Sequence, residues 1–245
     1  MEMNQETLEK MRQMRLLGMY NAFKTSMDSF KAETMTTDQF VSWLVSNEWD
    51  DRCNRMIERL IKQASFRYKA SLEEVDYSLD RGLDRNQLQR LAELSFVKEA
   101  KDLFVTGSAG TGKSYIATAL GYRACQKGLK VLYANTARLM GQLKVAKAKG
   151  TILQELKKIE RTDLLILDDF GIQPFDAGGR SNLMDIIEDR HGKSSTLITS
   201  QVPVKGWYDI IGERTIADAV LDRIVHQAVR VELHGDSLRK MQSKK

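Results

Sequence analysis

The chain has almost no proline and almost no cysteine. Two prolines in 245 residues leave few rigid linkers and few forced breaks, which argues for a helix-rich structure. The two cysteines, Cys53 and Cys125, lie far apart and match no metal-ligand spacing. They read as buried thiols in a reducing compartment. No apolar stretch approaches the roughly 18 residues that a membrane span needs, and Met1 to Tyr20 carries no signal-peptide pattern. No membrane association is expected, and the cytoplasm is the expected location. Internal repeats and low-complexity tracts are also lacking.

What is present is the composition of a globular protein, 42% hydrophobic and 29% charged. The length suits one large domain with a small one. The net charge of +5 is mild, but its distribution is uneven. Residues 123 to 161 hold ten Lys or Arg against two acids, Glu155 and Glu160, whereas residues 1 to 69 hold eleven basic and ten acidic groups. The basic segment points to a polyanion, nucleic acid first. A solvated helix face is the plainer alternative.

Residues 102 to 114 organise the rest. Leu103, Phe104 and Val105 read as a buried strand, and Gly107 to Ser114 matches G-x-x-x-x-G-K-[ST] at every fixed position. Tyr115 to Cys125 then reads as a helix. This loop, Gly107, Ser108, Ala109, Gly110, Thr111, Gly112, Lys113 and Ser114, with Tyr115 behind it, is built to hold a polyphosphate. Its glycines avoid Cβ clashes, and backbone N–H groups at a helix start face the anion. Lys113 supplies a charge for the β- and γ-phosphates, and Ser114 a hydroxyl for Mg²⁺. Leu164 to Asp169 is a second buried strand, ending in two carboxylates. Asp168 is placed to order the Mg²⁺ shell, and Asp169, across the pleat, to orient or deprotonate a water. Thr199, Ser200 and Gln201 end a later strand with polar groups, on the side where parallel sheets bind ligands. Arg214, Arg223 and Arg239 are candidates for stabilising phosphate charge, although each alone reads as a surface residue.

The amino-terminal stretch reads as helical, with Gly18 interrupting its apolar face. Thr36 and Gln39 form a capping box before another helix. Residues 1–69 are expected to be a small helical domain. Residues 70–245 are expected to be a connector followed by alternating strands and helices, hence a parallel sheet covered on both faces. The strands are expected at 103–106, 131–134, 164–167, 196–200 and 229–233. Helices are expected at 137–160, broken near Gly150-Thr151, at 181–188 and at 215–227.

The loop GSAGTGKS, the strand LLILDDFGIQP, the segment STLITSQVPVKGWYDIIGE and the tail VRVELHGDSLRK together resemble the IstB family, AAA+ helper proteins encoded beside the transposases of bacterial insertion sequences. The likeness extends to LEKMRQMRLLGMYNAF and DYSLDRGLDRNQLQRLAEL. It implies an α/β P-loop AAA+ domain behind an all-helical one, using ATP and Mg²⁺, assembling into homo-oligomers, binding DNA and assisting a transposase. It also implies roles for particular residues. Arg223 matches an arginine finger acting on the neighbouring subunit, Arg239 a second sensor, and Ser200, to within one residue, a first sensor. The helical insertion at 137–160 matches an element that lines DNA, with Lys144, Lys147 and Lys149 as its contacts. Many AAA+ proteins carry glutamate where Asp169 stands. The aspartate is shorter by about 1.5 Å, which fits slow hydrolysis. A helicase loader of the DnaC kind is the second reading, and a small-molecule P-loop kinase the third. A GTPase is disfavoured by the lack of an N-K-x-D sequence.

Overall fold

The computed structural model describes residues 2–29, 34–77 and 81–238. The chain divides into two compact units, Met1–Arg59 and Leu60–Lys245. The first is helical: α1 (Glu2–Gln13), α2 (Leu17–Ser29) and most of α3 (Thr37–Ala64). The break that Gly18 suggested lies just before it, at Arg15, whose φ is 59°. Gly18 itself sits inside α2 at a close crossing with α3, where a Cβ would stand 2.3 Å from the carbonyl oxygen of Asn47. Beside this crossing the buried Glu48 accepts from the amides of Gly18 at 2.9 Å and Met19 at 3.2 Å, and from Arg52 Nε at 2.6 Å. A carboxylate thus satisfies the first orphan donors of α2. Burial opposes its charge, but Arg52 and the two amides outweigh burial and hold the carboxyl below its ordinary range. The expected capping box opens α3: Thr36 N–H donates to Gln39 Oε1 at 3.0 Å, and Gln39 N–H to Thr36 Oγ1 at 3.4 Å.

The second unit opens with α4 (Arg85–Ala92) and α5 (Ser95–Lys98) and then alternates. In order come β1 (Leu103–Gly107), α6 (Lys113–Gln126), β2 (Val131–Asn135), α7 (Thr136–Ala148), α8 (Ile152–Glu160), β3 (Leu164–Phe170) and α9 (Ala177–Arg190). β4 (Ser195–Ser200), α10 (Trp207–Ile211), α11 (Arg214–Val225) and β5 (Val229–Leu233) follow. The strands form one parallel sheet in the order β2-β3-β4-β1-β5. Successive side chains alternate between its faces, and this separates two cores. Leu103, Val105, Leu164, Ile166, Leu197 and Val231 pack under α6 with the connector. Phe104, Leu165, Leu167 and Ile198 pack against α7, α9, α10 and α11. The insertion breaks where expected, at Gly150, which takes a φ of 72°. The short helix α10 was not expected. Trp207 anchors it, wholly buried against Phe104 and Phe170, with its indole N–H on the Val202 carbonyl at 2.9 Å.

The amino end of the sheet holds a buried arginine with a half-buried carboxylate nearby. Arg190 is 1% exposed. Its guanidinium donates to the carbonyls of Ile159, Thr162 and Ser195 and to the hydroxyls of Thr162 and Thr196, at 2.6 to 3.3 Å. Burial still lowers its pKa to about 10, against the opposing pull of Asp102 and Asp163. Asp102 accepts from Thr196 N–H at 2.7 Å. Burial raises its carboxyl to about 6, more than Thr196 and Arg190 lower it.

Candidate nucleotide site

The loop after β1 closes tightly on its neighbours. Gly107 has a φ of 146°, and a Cβ there would stand 2.1 Å from the Leu233 carbonyl oxygen of β5. The loop therefore passes where only glycine fits. Thr111 Oγ1 donates to the Ser108 carbonyl at 2.9 Å and tightens the turn. Lys113, 6% exposed, lays its ammonium on the same carbonyl at 2.7 Å. The amides at the start of α6 lack i−4 partners within the helix. Tyr115 lends the site only its backbone, because its hydroxyl lies on Glu74 at 2.8 Å and on Ser71.

β3 delivers the two carboxylates from two strands away. Asp168, 1% exposed, accepts from Ser114 Oγ at 2.7 Å on Oδ1. The same oxygen accepts from Thr199 Oγ1, and Oδ2 accepts from the Tyr133 hydroxyl. Burial and the Asp168 carboxylate push the Tyr133 phenol far upward, so it stays a donor. The expected plain alternation fails at the next residue. Leu167 pairs with Ile198 but Phe170 pairs with Ser200, so β3 carries one extra residue, a β-bulge. Asp169 occupies it with a φ of 58°, a left-handed conformation that Asp tolerates better than most residues. Its N–H leaves the ladder and donates to Thr199 Oγ1 at 3.1 Å. Its carboxylate accepts from Asn135 Nδ2 at 3.1 Å. Burial raises the pKa of Asp169, and the neighbouring Asp168 adds to that. Arg67, Lys113 and Asn135 pull the other way. The bulge thus re-aims the second carboxylate while the first keeps its strand geometry.

Thr199, and not Ser200, is the strand-end hydroxyl in this cluster. Ser200 faces the other side of the sheet, donating to the Phe170 carbonyl at 2.7 Å and accepting from Val202 N–H. Strand parity could have shown this, since Thr199 shares a face with Leu197 and Asp168 with Ile166. Asn135, Tyr133 and Arg81 were missed, because their sequence neighbourhoods carry no motif. Asn135 ends β2, Tyr133 lies within it, and Arg81 reaches the loop from the connector.

Arg223 lies at the far end of the domain. It sits in the last turn of α11, bonded to Glu188 at 2.6 Å and to the Ala219 carbonyl at 2.8 Å. It lines a cleft of about 150 Å³ with Asp102, Arg190 and Thr196, where the strands begin. The glycine loop lies where they end. Arg214 is exposed at the first position of α11. Arg239 lies outside the described residues. Lys144, Lys147 and Lys149 are all exposed on α7 and its end. Lys144 pairs with Asp176 at 3.0 Å. Lys149 lines a groove of about 750 Å³ along the edge strand β2 with Arg67, Arg138 and Lys158.

Among the described residues no group of three His, Cys, Asp or Glu gathers to hold a metal by itself. One carboxylate beside one hydroxyl is instead a partial oxygen donor set, which suits Mg²⁺ completed by water and phosphate. No described helix is long and apolar enough to cross a membrane.

A five-stranded parallel sheet with the glycine loop after β1 and the carboxylates on β3 defines a P-loop nucleotide-binding domain of the AAA+ type. The solved structure of DnaI shares it, with a TM-score of 0.59 and 25% identity over 72% of this chain and 93% of that one. The sequence narrows the class. Residues 9–245 match the family of IstB-like ATP binding proteins, and the chain belongs to that family. It is 39% identical over 98% of both chains to the insertion sequence ATP-binding protein y4pL of Sinorhizobium fredii NGR234. It is 30% identical to the IS21 ATP-binding protein of Pseudomonas aeruginosa, over 84% of this chain and 78% of that one.

Proposed function

We propose that the protein is an ATPase whose subunits join through ATP, assemble on DNA and assist the transposase of an insertion sequence. The placement of Arg223 carries this reading. It stands where the strands begin and the phosphate loop where they end, so Arg223 can complete only a neighbouring copy's site. The names of the relatives support the insertion-sequence context.

In the proposed site the loop amides and Lys113 hold the phosphates, and Ser114 and Asp168 hold Mg²⁺. The metal supplies charge for the β- and γ-oxygens. Asp169 receives a proton from the attacking water or orients it, held by Asn135. Thr199 Oγ1 links the Asp168 carboxylate to the Asp169 backbone N–H, so its hydroxyl serves as the sensor in place of Ser200. Arg223 stabilises charge on the phosphoryl group held by the adjacent subunit. Lys144, Lys147, Lys149 and the groove along β2 meet DNA phosphates, with little sequence readout.

DNA binding is to be measured against salt with ATP, a non-hydrolysable analogue, ADP or no nucleotide, with mass by light scattering. ATP or the analogue should give large particles whose DNA affinity falls steeply with salt. If no nucleotide changes mass or DNA affinity, the proposal fails. Free phosphate without a phosphorylated acceptor excludes the kinase reading. The loader reading rests on shared fold, and binding to a purified replicative helicase rather than to transposase would favour it.

A further inference from the structure

We infer that Arg81 is a positioning residue that sets the phosphate loop for its ligand from outside the motif. The inference rests on the ATP reading of that loop.

Arg81 is 6% exposed. Its guanidinium spans two backbone carbonyls, donating to Thr111 at 3.2 Å and to Asp76 at 2.7 Å. Gly112 packs directly against it, since a Cβ there would stand 2.8 Å from Arg81 Nη1. The Thr111 carbonyl and the Gly112 N–H belong to one trans peptide, so they point in opposite directions. Drawing the carbonyl outward to Arg81 turns the Gly112 N–H toward the interior of the loop.

The preceding peptide is held in the same way. Leu238 N–H donates to the Gly110 carbonyl at 3.0 Å, which turns the Thr111 N–H inward. The two outer holds are tied together, because His234 N–H donates to the Arg81 carbonyl at 2.8 Å. Connector and tail thus set two successive loop amides. The arginine is not simply a saturated core group. Its Nε is buried and has no hydrogen-bond partner, and native structures rarely retain such a donor. A fork is needed to reach both carbonyls, and a lysine ammonium does not reproduce one.

The test uses the full chain, fluorescent ATP, ADP and AMP, and the variants Arg81→Met and Arg81→Lys. Arg81→Met should weaken ATP and ADP about tenfold, close to 1.4 kcal/mol, while AMP affinity changes little. Arg81→Lys should lose nearly as much, and this variant serves if Arg81→Met does not fold. Thermal melting without nucleotide reports folding separately. Native affinity for ATP and ADP in both variants overturns the inference, as does an equal loss for AMP. If the native chain binds no ATP, the ATP reading falls first and the inference with it.

Discussion

The two ends of the sheet both bury charge, but they bury it differently. At the amino end Arg190 is surrounded by five acceptors at hydrogen-bond distance, and the strands that begin there pair in regular register, although Ala100 just before β1 takes a φ of 50°. At the carboxyl end the backbone is bulged, Asp169 takes a positive φ, and the Lys113 ammonium rests on a carbonyl of its own loop. A satisfied network on regularly paired strands holds a fold together. Charges held on a strained backbone and on replaceable contacts mark a place where a ligand is expected. Both arrangements are buried, so burial alone does not separate structure from function. Saturation of the charged group and the regularity of strand pairing do.

That contrast can be broken by substitution. Arg190→Met should cost about 3–5 kcal/mol, because it leaves the buried carbonyls of Ile159, Thr162 and Ser195 without their shared donor. Nucleotide affinity per folded molecule should stay native. Denaturant titration alongside ATP binding checks both, and a specific loss of ATP affinity would erase the distinction.

Next in size is a pH effect at the same end. The folded state raises the Asp102 carboxyl from 3.8 to about 6, so folding favours its protonated form. This contribution is present at pH 4 and is lost as pH rises through about 6, on the order of 3 kcal/mol. Asp102→Asn does not titrate. The stability of the native chain relative to this variant should therefore fall between pH 4 and pH 7, as followed by urea unfolding. A constant difference would show that the carboxyl is not perturbed.

The smallest effect sharpens the comparison within one strand. Thr199→Val should slow ATP hydrolysis by about tenfold and cost about 1 kcal/mol or more of stability, since its buried hydroxyl serves both Asp168 and the Asp169 N–H. Ser200→Ala should cost about 1 kcal/mol of stability, the scale of one hydrogen bond, and leave hydrolysis near native. Steady-state phosphate release and thermal melting read the two. The reverse pattern would restore Ser200 to the site.

Most of the fold was legible because its signals are local. The apolar runs at Leu103, Val131, Leu164 and Val229 are strands, and Gly150 breaks the insertion as its backbone freedom suggests. The glycine loop was legible because its chemistry demands fixed spacing. What stayed hidden depends on register and on distant partners. The bulge at Asp169 arises from pairing with β4, which no window around Asp168-Asp169 displays. Thr199 lies within the one-residue range of the expected sensor, and its sharing a face with Leu197 is what separates it from Ser200. Arg81 meets Thr111 thirty residues on, and α10 is too short for periodicity to reveal, although Trp207 makes it a core element.

The most direct measurement mixes two inactive variants. Asp169→Asn should lower hydrolysis by about 10²–10⁴, and Arg223→Ala should also lower it strongly, each with ATP binding retained. Phosphate release is then followed in an equimolar mixture on DNA. If Arg223 acts on the neighbouring site, subunits with Arg223→Ala keep an intact site and take the arginine from subunits with Asp169→Asn. Activity should then rise well above either variant alone. A mixture that assembles on DNA yet hydrolyses no faster than its parts would contradict a site shared between subunits.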